Sequence, residues 1–253
     1  VIIGVAGWRG VGVTTTAIAA ATGIAARGSR PWLVEADPAG SVLAARLGSG
    51  AQHVGGLERV AFPTTKGTIA DRLGEVALVT GGVRVVLAPG DPFRAAACHQ
   101  PRVPWAPALH DLAVPVVIDL GTLRPGSPQL PILSLLDVLL LVANPDTVSI
   151  VSTLDWAAAR GRVGPGGDVL PLDITRVVVV DAPVVCERVS RLDAQTELGD
   201  RFAGWLPWSP IGVAQLHRGV GSTDRRLRRD PFVQASHHLA ERLADWVDLG
   251  LTA

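Results

Sequence analysis

The densest chemical signal lies in residues 1–16, VIIGVAGWRGVGVTTT, where Gly7, Gly10 and Gly12 are followed at once by Thr14 and Thr15. Glycines at this spacing let a backbone curl so that its N–H groups face an anion, and a following helix adds the positive end of its dipole. A threonine just past such a loop is placed to reach a hard cation such as Mg²⁺. The pattern G-x-x-x-x-G-K-[ST] fits from Gly7 to Thr14 with one departure, Val13 in the lysine position. Lysine there brings a point charge to the terminal phosphates, and valine brings none. A glycine-rich turn that never bound phosphate is the competing reading.

Carboxylates supply the second half of the chemistry. Glu35 and Asp37 follow one apolar run, and Asp119 ends another, Pro115-Val116-Val117-Ile118. In open parallel sheets ligands sit beyond the carboxyl ends of the strands, which is where these acids fall. An aspartate at the tip of such a strand holds Mg²⁺ through its water shell, and Asp37 is placed to touch the metal or an attacking water. A single acid at a strand end is as often a turn former or helix cap. Three in order after a glycine loop favour one shared site, with Thr14, Asp37 and Asp119 as its metal set if Mg-nucleotide binds.

Those residues need a scaffold of buried strands, each followed by a helix. Near-continuous apolar runs at 1–5, 31–36, 83–87, 114–120, 137–143 and 176–180 read as strands. Helices are expected over 17–27, 41–47, 69–79, 147–160 and 231–247, with 48–68, 124–131 and 161–168 as connections and 101–107 irregular. The expectation is an α/β fold: an open, mostly parallel sheet with helices on both faces, in one domain over 1–253. The chain begins at Val1 rather than methionine, which leaves room for a preceding part of a longer protein.

Composition narrows the classes. The chain has 253 residues, 48% hydrophobic, with a formal net charge of +0, so no global charge calls for nucleic acid or an anionic membrane. No uncharged apolar run reaches membrane-spanning length, and no signal peptide opens the chain. Cys98 and Cys186 are far apart and read as reduced thiols in a cytoplasmic protein. Lys66 is the only lysine, so a cation replacing the missing one must be Lys66 or an arginine such as Arg9.

The order of motifs resembles the ParA/MinD group of deviant Walker-A ATPases across nearly the whole chain. That family's K-G-G-V-G-K-T-T is matched by W-R-G-V-G-V-T-T at 8–15, and its D-x-D-P-x-G by E-A-D-P-A-G at 35–40. Val117-Ile118-Asp119-Leu120-Gly121 resembles its Walker B, and Asp137 to Asp146 its next strand. Leu206-Pro207-Trp208-Ser209-Pro210 resembles its late nucleotide-base loop. The resemblance implies ATP with Mg²⁺, a dimer meeting across the loops, and work in positioning or partitioning. It implies nucleotide contacts at Gly7, Arg9, Gly10, Gly12, Thr14, Thr15, Asp181 and Pro207.

The departures bear on activity. The family's cross-dimer lysine falls on Trp8, its loop lysine on Val13, and its base-contacting Asn on Asp181. The expectation is therefore a degenerate member with no catalytic residue at work and Asp37 vestigial. Its ATP and Mg²⁺ affinity would be weak. It would serve as a cytoplasmic scaffold or positioning factor, or in assembling a surface machine as TadZ-like relatives do. The alternative is a working ATPase in chromosome or plasmid partitioning with Arg9 as surrogate. A homodimer through the loop face is expected, with its protein partner unnamed. DNA is not favoured, because Asp224 and Asp230 flank Arg225, Arg226, Arg228 and Arg229. The acidic tail reads as docked on the domain rather than inserted in a membrane.

Overall fold

In strand β1 (Ile2–Gly7), Ile2 and Ala6 join one buried cluster while Ile3 and Val5 join another. This is the period-2 alternation of a strand covered on both faces. The computed structural model describes residues 1–48, 56–64, 66–100, 105–160, 173–183 and 187–249. Around β1 lie β2 (Trp32–Glu35), β3 (Leu78–Thr80), β4 (Val83–Val86), β5 (Val116–Thr122), β6 (Val138–Ala143), β7 (Thr175–Val180) and β8 (Phe202–Leu206). They form one sheet in the order β3-β4-β2-β5-β1-β6-β7-β8. Every pairing is parallel except β3 with β4. The α/β reading of the sequence holds.

One face is covered by α1 (Val13–Ala26), α8 (Pro210–His217) and α9 (Pro231–Trp246). Helices α1 and α9 meet so closely at Gly23 that a Cβ there would stand 2.2 Å from the Ser236 carbonyl oxygen. The other face carries α3 (Leu57–Ala61), α4 (Ile69–Val76), α6 (Thr147–Arg160) and α7 (Arg191–Leu198). Short helices α2 (Leu43–Leu47) and α5 (Pro92–Ala97) follow β2 and β4.

Several expectations need correction. The helix read over 69–79 stops at Val76. Thr68 caps its start, while Leu78-Val79-Thr80 turn back as an antiparallel strand through Gly81 and Gly82, at φ 57° and 83°. Paired positive-φ glycines make the tight hairpin that matches strand twist. Strand β5, read over 114–120, begins at Val116 and runs on to Thr122, so Asp119 lies inside it. Helix α3 lies inside the stretch read as loop, and α5 and α7 carried too little periodicity to be seen. Helix α6 falls where expected. The connection at 161–168 and Cys186 lie outside the described residues, and Cys98 is free and buried. Leu249 is buried and Trp246 packs on the core, so the tail docks on the domain through that point. No helix among the described residues is long and apolar enough to cross a membrane.

Candidate functional site

The glycine loop occupies residues 8–12 between β1 and α1. Gly12 caps α1 at φ 95°, a left-handed conformation that glycine adopts without strain. Its carbonyl accepts from both the N–H and the hydroxyl of Thr16. Gly7 is where the loop is tightest, because a Cβ there would lie 2.9 Å from Val11 and 2.9 Å from Val13 methyls. Val13 is 7% exposed and belongs to the core beneath the loop. The position that would carry a phosphate-reaching cation thus carries a packed methyl pair. Gly10 has open space where a side chain would stand.

Register brings the acids together. Glu35 on β2 and Asp119 on β5 are direct neighbours, and Asp119 is also opposite Val5 of β1. Alternation sends Glu35, Asp119 and Val5 to the same face, under the start of α1. Asp119 is fully buried. Its Oδ1 accepts from the Gly121 N–H at 3.0 Å, while Oδ2 has no full hydrogen bond, although the Thr14 hydroxyl nearby favours its charged form. Burial dominates and pushes this carboxyl up to about 7. Asp37 follows β2, takes the Ala39 N–H at 2.8 Å, and is also raised by burial.

Glu35 has a different task from the one its position suggested. Its carboxylate accepts from the Ser41 hydroxyl and from the N–H groups of Val42, Leu43 and Ala88, at 2.5–3.1 Å. It pins the turn after β2 to the start of α2 and to the end of β4, leaving little capacity for a ligand. Burial still raises its pKa against those four donors. Among the described residues no group of three His, Cys, Asp or Glu is placed to hold a metal ion. A divalent ion here would depend on Thr14, on water, and on ligand oxygens beside Asp37 and Asp119.

Sequence reasoning missed a cation that interacts with these acids. Arg46 on α2 is felt electrostatically by both Asp119 and Glu35. Its Nη1 lies 2.6 Å from His217 Nδ1, and His217 Nε2 lies 3.2 Å from Thr15 Oγ1. Burial and the Arg46 charge push His217 down to about 4, so the ring is neutral, and Arg46 Nη1 also lies 3.0 Å from its Nε2. Nothing in local sequence joins residues 46, 217 and 15; only the packing of α2 and α8 around α1 does. The surrogates considered from sequence lie elsewhere. The Arg9 guanidinium stacks 3.7 Å over its own neighbour Trp8, and Lys66 is exposed before α4.

A cleft of ≈ 190 Å³ opens beside the loop, lined by Gly10, Gly12 and Thr15 on one wall and by Asp181, Pro207 and Trp208 on the other. Five of the expected contacts, Gly10, Gly12, Thr15, Asp181 and Pro207, therefore share one cavity. Thr14, Asp37 and Asp119 form the neighbouring acid group, Gly7 lies behind the loop, and Arg9 faces Trp8 instead of the cleft. Asp181 is fixed by its N–H to the Leu206 carbonyl at 2.8 Å and by an ion pair with Arg188. The basic cluster stands in a turn, where Arg226 pairs with Asp224, and Asp230 caps α9.

No protein-family model matches the sequence, and no curated protein does. Solved structures do match. The cell-division ATPase MinD of Pyrococcus furiosus is 18% identical with a TM-score of 0.72, over 97% of this chain and 99% of that one. MinD of Pyrococcus horikoshii, solved with Mg-ADP, is 17% identical with a TM-score of 0.71, over 96% and 94%. A plasmid partition protein of Borrelia burgdorferi bound to AMPPNP is 15% identical with a TM-score of 0.64, over 97% and 98%. At these identities the likeness establishes the fold: the chain has the P-loop α/β fold of MinD and ParA ATPases over nearly its whole length.

Proposed function

We propose that this chain is a single-domain, degenerate ParA/MinD-like protein, binding nucleotide weakly and hydrolysing it at or near background, which acts as a cytoplasmic scaffold or positioning factor. The carrying observation is Val13. Its side chain is packed against Gly7 in the core, where a transferring phosphoryl group would need a cation. The cleft, Thr14 and the buried Asp119 carboxyl support residual binding of Mg-nucleotide, with Gly10, Gly12, Thr15, Asp181 and Pro207 around the ligand. Mg²⁺, when bound, would neutralise charge on the phosphates. Steady-state phosphate release tests the proposal. Turnover well above background that Asp119→Ala abolishes would overturn it.

A second reading, a working ATPase, draws support from Arg46, whose charge reaches Asp119. Arg9, tied to Trp8, supports it less. Loss of turnover in Arg46→Ala but not in Arg9→Ala would establish that reading.

The dimer is proposed through the loop face. Phe93, Val148, Leu192 and Ile211 are each the second residue of a helix that follows a strand, and each is at least 60% exposed. Helices after parallel strands begin at the edge where the glycine loop lies, so these apolar side chains share that edge with Trp208, 47% exposed. Exposed apolar residues gathered on one face support a protein partner there, and a second copy is the occupant that the fold's loop-to-loop arrangement suggests.

A further inference from the structure

We propose that the cleft selects guanine over adenine nucleotides, with Asp181 reading the base; this rests on the nucleotide-site reading above. Among the described residues Asp181 is the only charged one lining the cleft, with Gly10, Gly12 and Thr15 of the loop lining it too. Ala182, Pro207, Trp208 and Phe232 line the same cavity with apolar side chains, suited to a purine ring. The carboxylate cannot swing away. Its backbone is tied to β8 through Leu206, and Arg188 holds one of its oxygens, leaving Asp181 14% exposed.

An ionised carboxylate accepts and never donates. The Watson–Crick edge of guanine offers it two adjacent donors, N1–H and the 2-amino group. Adenine offers one, the 6-amino group, and has no second donor for the other carboxylate oxygen. Arg188 does not reverse this, because a guanidinium beside the carboxylate can donate equally to guanine O6 or to adenine N1. Discrimination therefore comes from Asp181. A site built to bond a ligand N–H rejects the analogue lacking it, because its own polar group is left unpaired.

Calorimetry on the full chain with Mg²⁺ and GDP, ADP or inosine diphosphate tests this. GDP is expected to bind about tenfold or more tightly than ADP, and also more tightly than inosine diphosphate, which lacks only the 2-amino group. Asp181→Asn, with its fold checked by thermal melting, should bring GDP and ADP within about threefold of each other. ADP binding as well as GDP, or inosine diphosphate binding as well as GDP, would overturn the guanine assignment and leave the nucleotide site standing. Failure of all three to bind at millimolar concentration would overturn both.

Discussion

The carboxyl of Asp37 rests on the bare backbone of Gly121: a Cβ at Gly121 would stand 2.1 Å from Asp37 Cγ. Gly121 also sits at φ 60°, so alanine there is strained twice. Gly121→Ala should cost about 1–3 kcal/mol and push Asp37 off the Ala39 N–H. The two causes separate in a double-mutant cycle. In an Asp37→Ala background the same substitution should cost measurably less by denaturant unfolding. Equal costs in both backgrounds would mean that the carboxyl contact carries no strain.

Asp119 makes stability depend on pH. Its folded pKa of about 7 lies above its ordinary value of 3.8. The folded state therefore holds the proton longer, and this contribution is full below about pH 4 and is lost as pH rises through 7. Asp119→Asn keeps the shape and removes the buried charge. The variant should melt higher than wild type by a margin that widens by roughly 5 °C between pH 5 and pH 8, without nucleotide or Mg²⁺. A difference that shrinks as pH rises would contradict the sign.

His217 offers a second titration. Burial, then the Arg46 charge, holds it near 4. Arg46→Ala removes the second cause and leaves the first, so the His217 ring should titrate at higher pH, still below 6.5. A proton NMR titration of the ring Cε1–H in both proteins reads this directly. No shift would mean that the guanidinium does not sit against the ring in solution.

Restoring the missing lysine should fail. Val13 is buried with its methyl against Gly7, so Val13→Lys places an ammonium in a packed apolar site before it can reach a phosphate. The variant should melt lower than wild type and release phosphate no faster. Robust turnover by this single variant would show that the loop needs only that charge.

The fold was legible because its strands are unbroken apolar runs and its glycine loop sits at a strand-to-helix junction. The order Gly7 to Thr14, Asp37, Asp119, Asp181 and Pro207 was legible for the same reason: each follows a strand or, for Asp119, lies within one, and parallel strands deliver their ends to one edge. Three things were not. Glu35 reads as a free acid because the four donors that engage it come from backbone and a serine, which carry no pattern. The Arg46–His217–Thr15 chain joins residues separated by up to 202 positions, and such contacts exist only after helices pack. Edge strand β3 was lost to the helical periodicity running into it.

Trp8 is the residue through which self-association is best tested. From sequence it had three fates: to lie on the surface, to fill its own phosphate pocket, or to enter a partner. It is half-buried, it does not line the cleft, its indole N–H is buried with no acceptor among the described residues, and Arg9 covers one ring face at 3.7 Å. Pocket-filling is thereby disfavoured. An indole N–H without an acceptor is a cost that a partner's oxygen could remove, and tryptophan and arginine are both enriched among interface hot spots. The expected outcome is a dimer that forms without nucleotide. Analytical ultracentrifugation of wild type should show it at micromolar concentration, Trp8→Ala should shift it toward monomer, and Ile211→Asp on the same edge should do the same. A wild-type monomer at high micromolar concentration, or a dimer indifferent to Trp8→Ala, would place the contact elsewhere or nowhere.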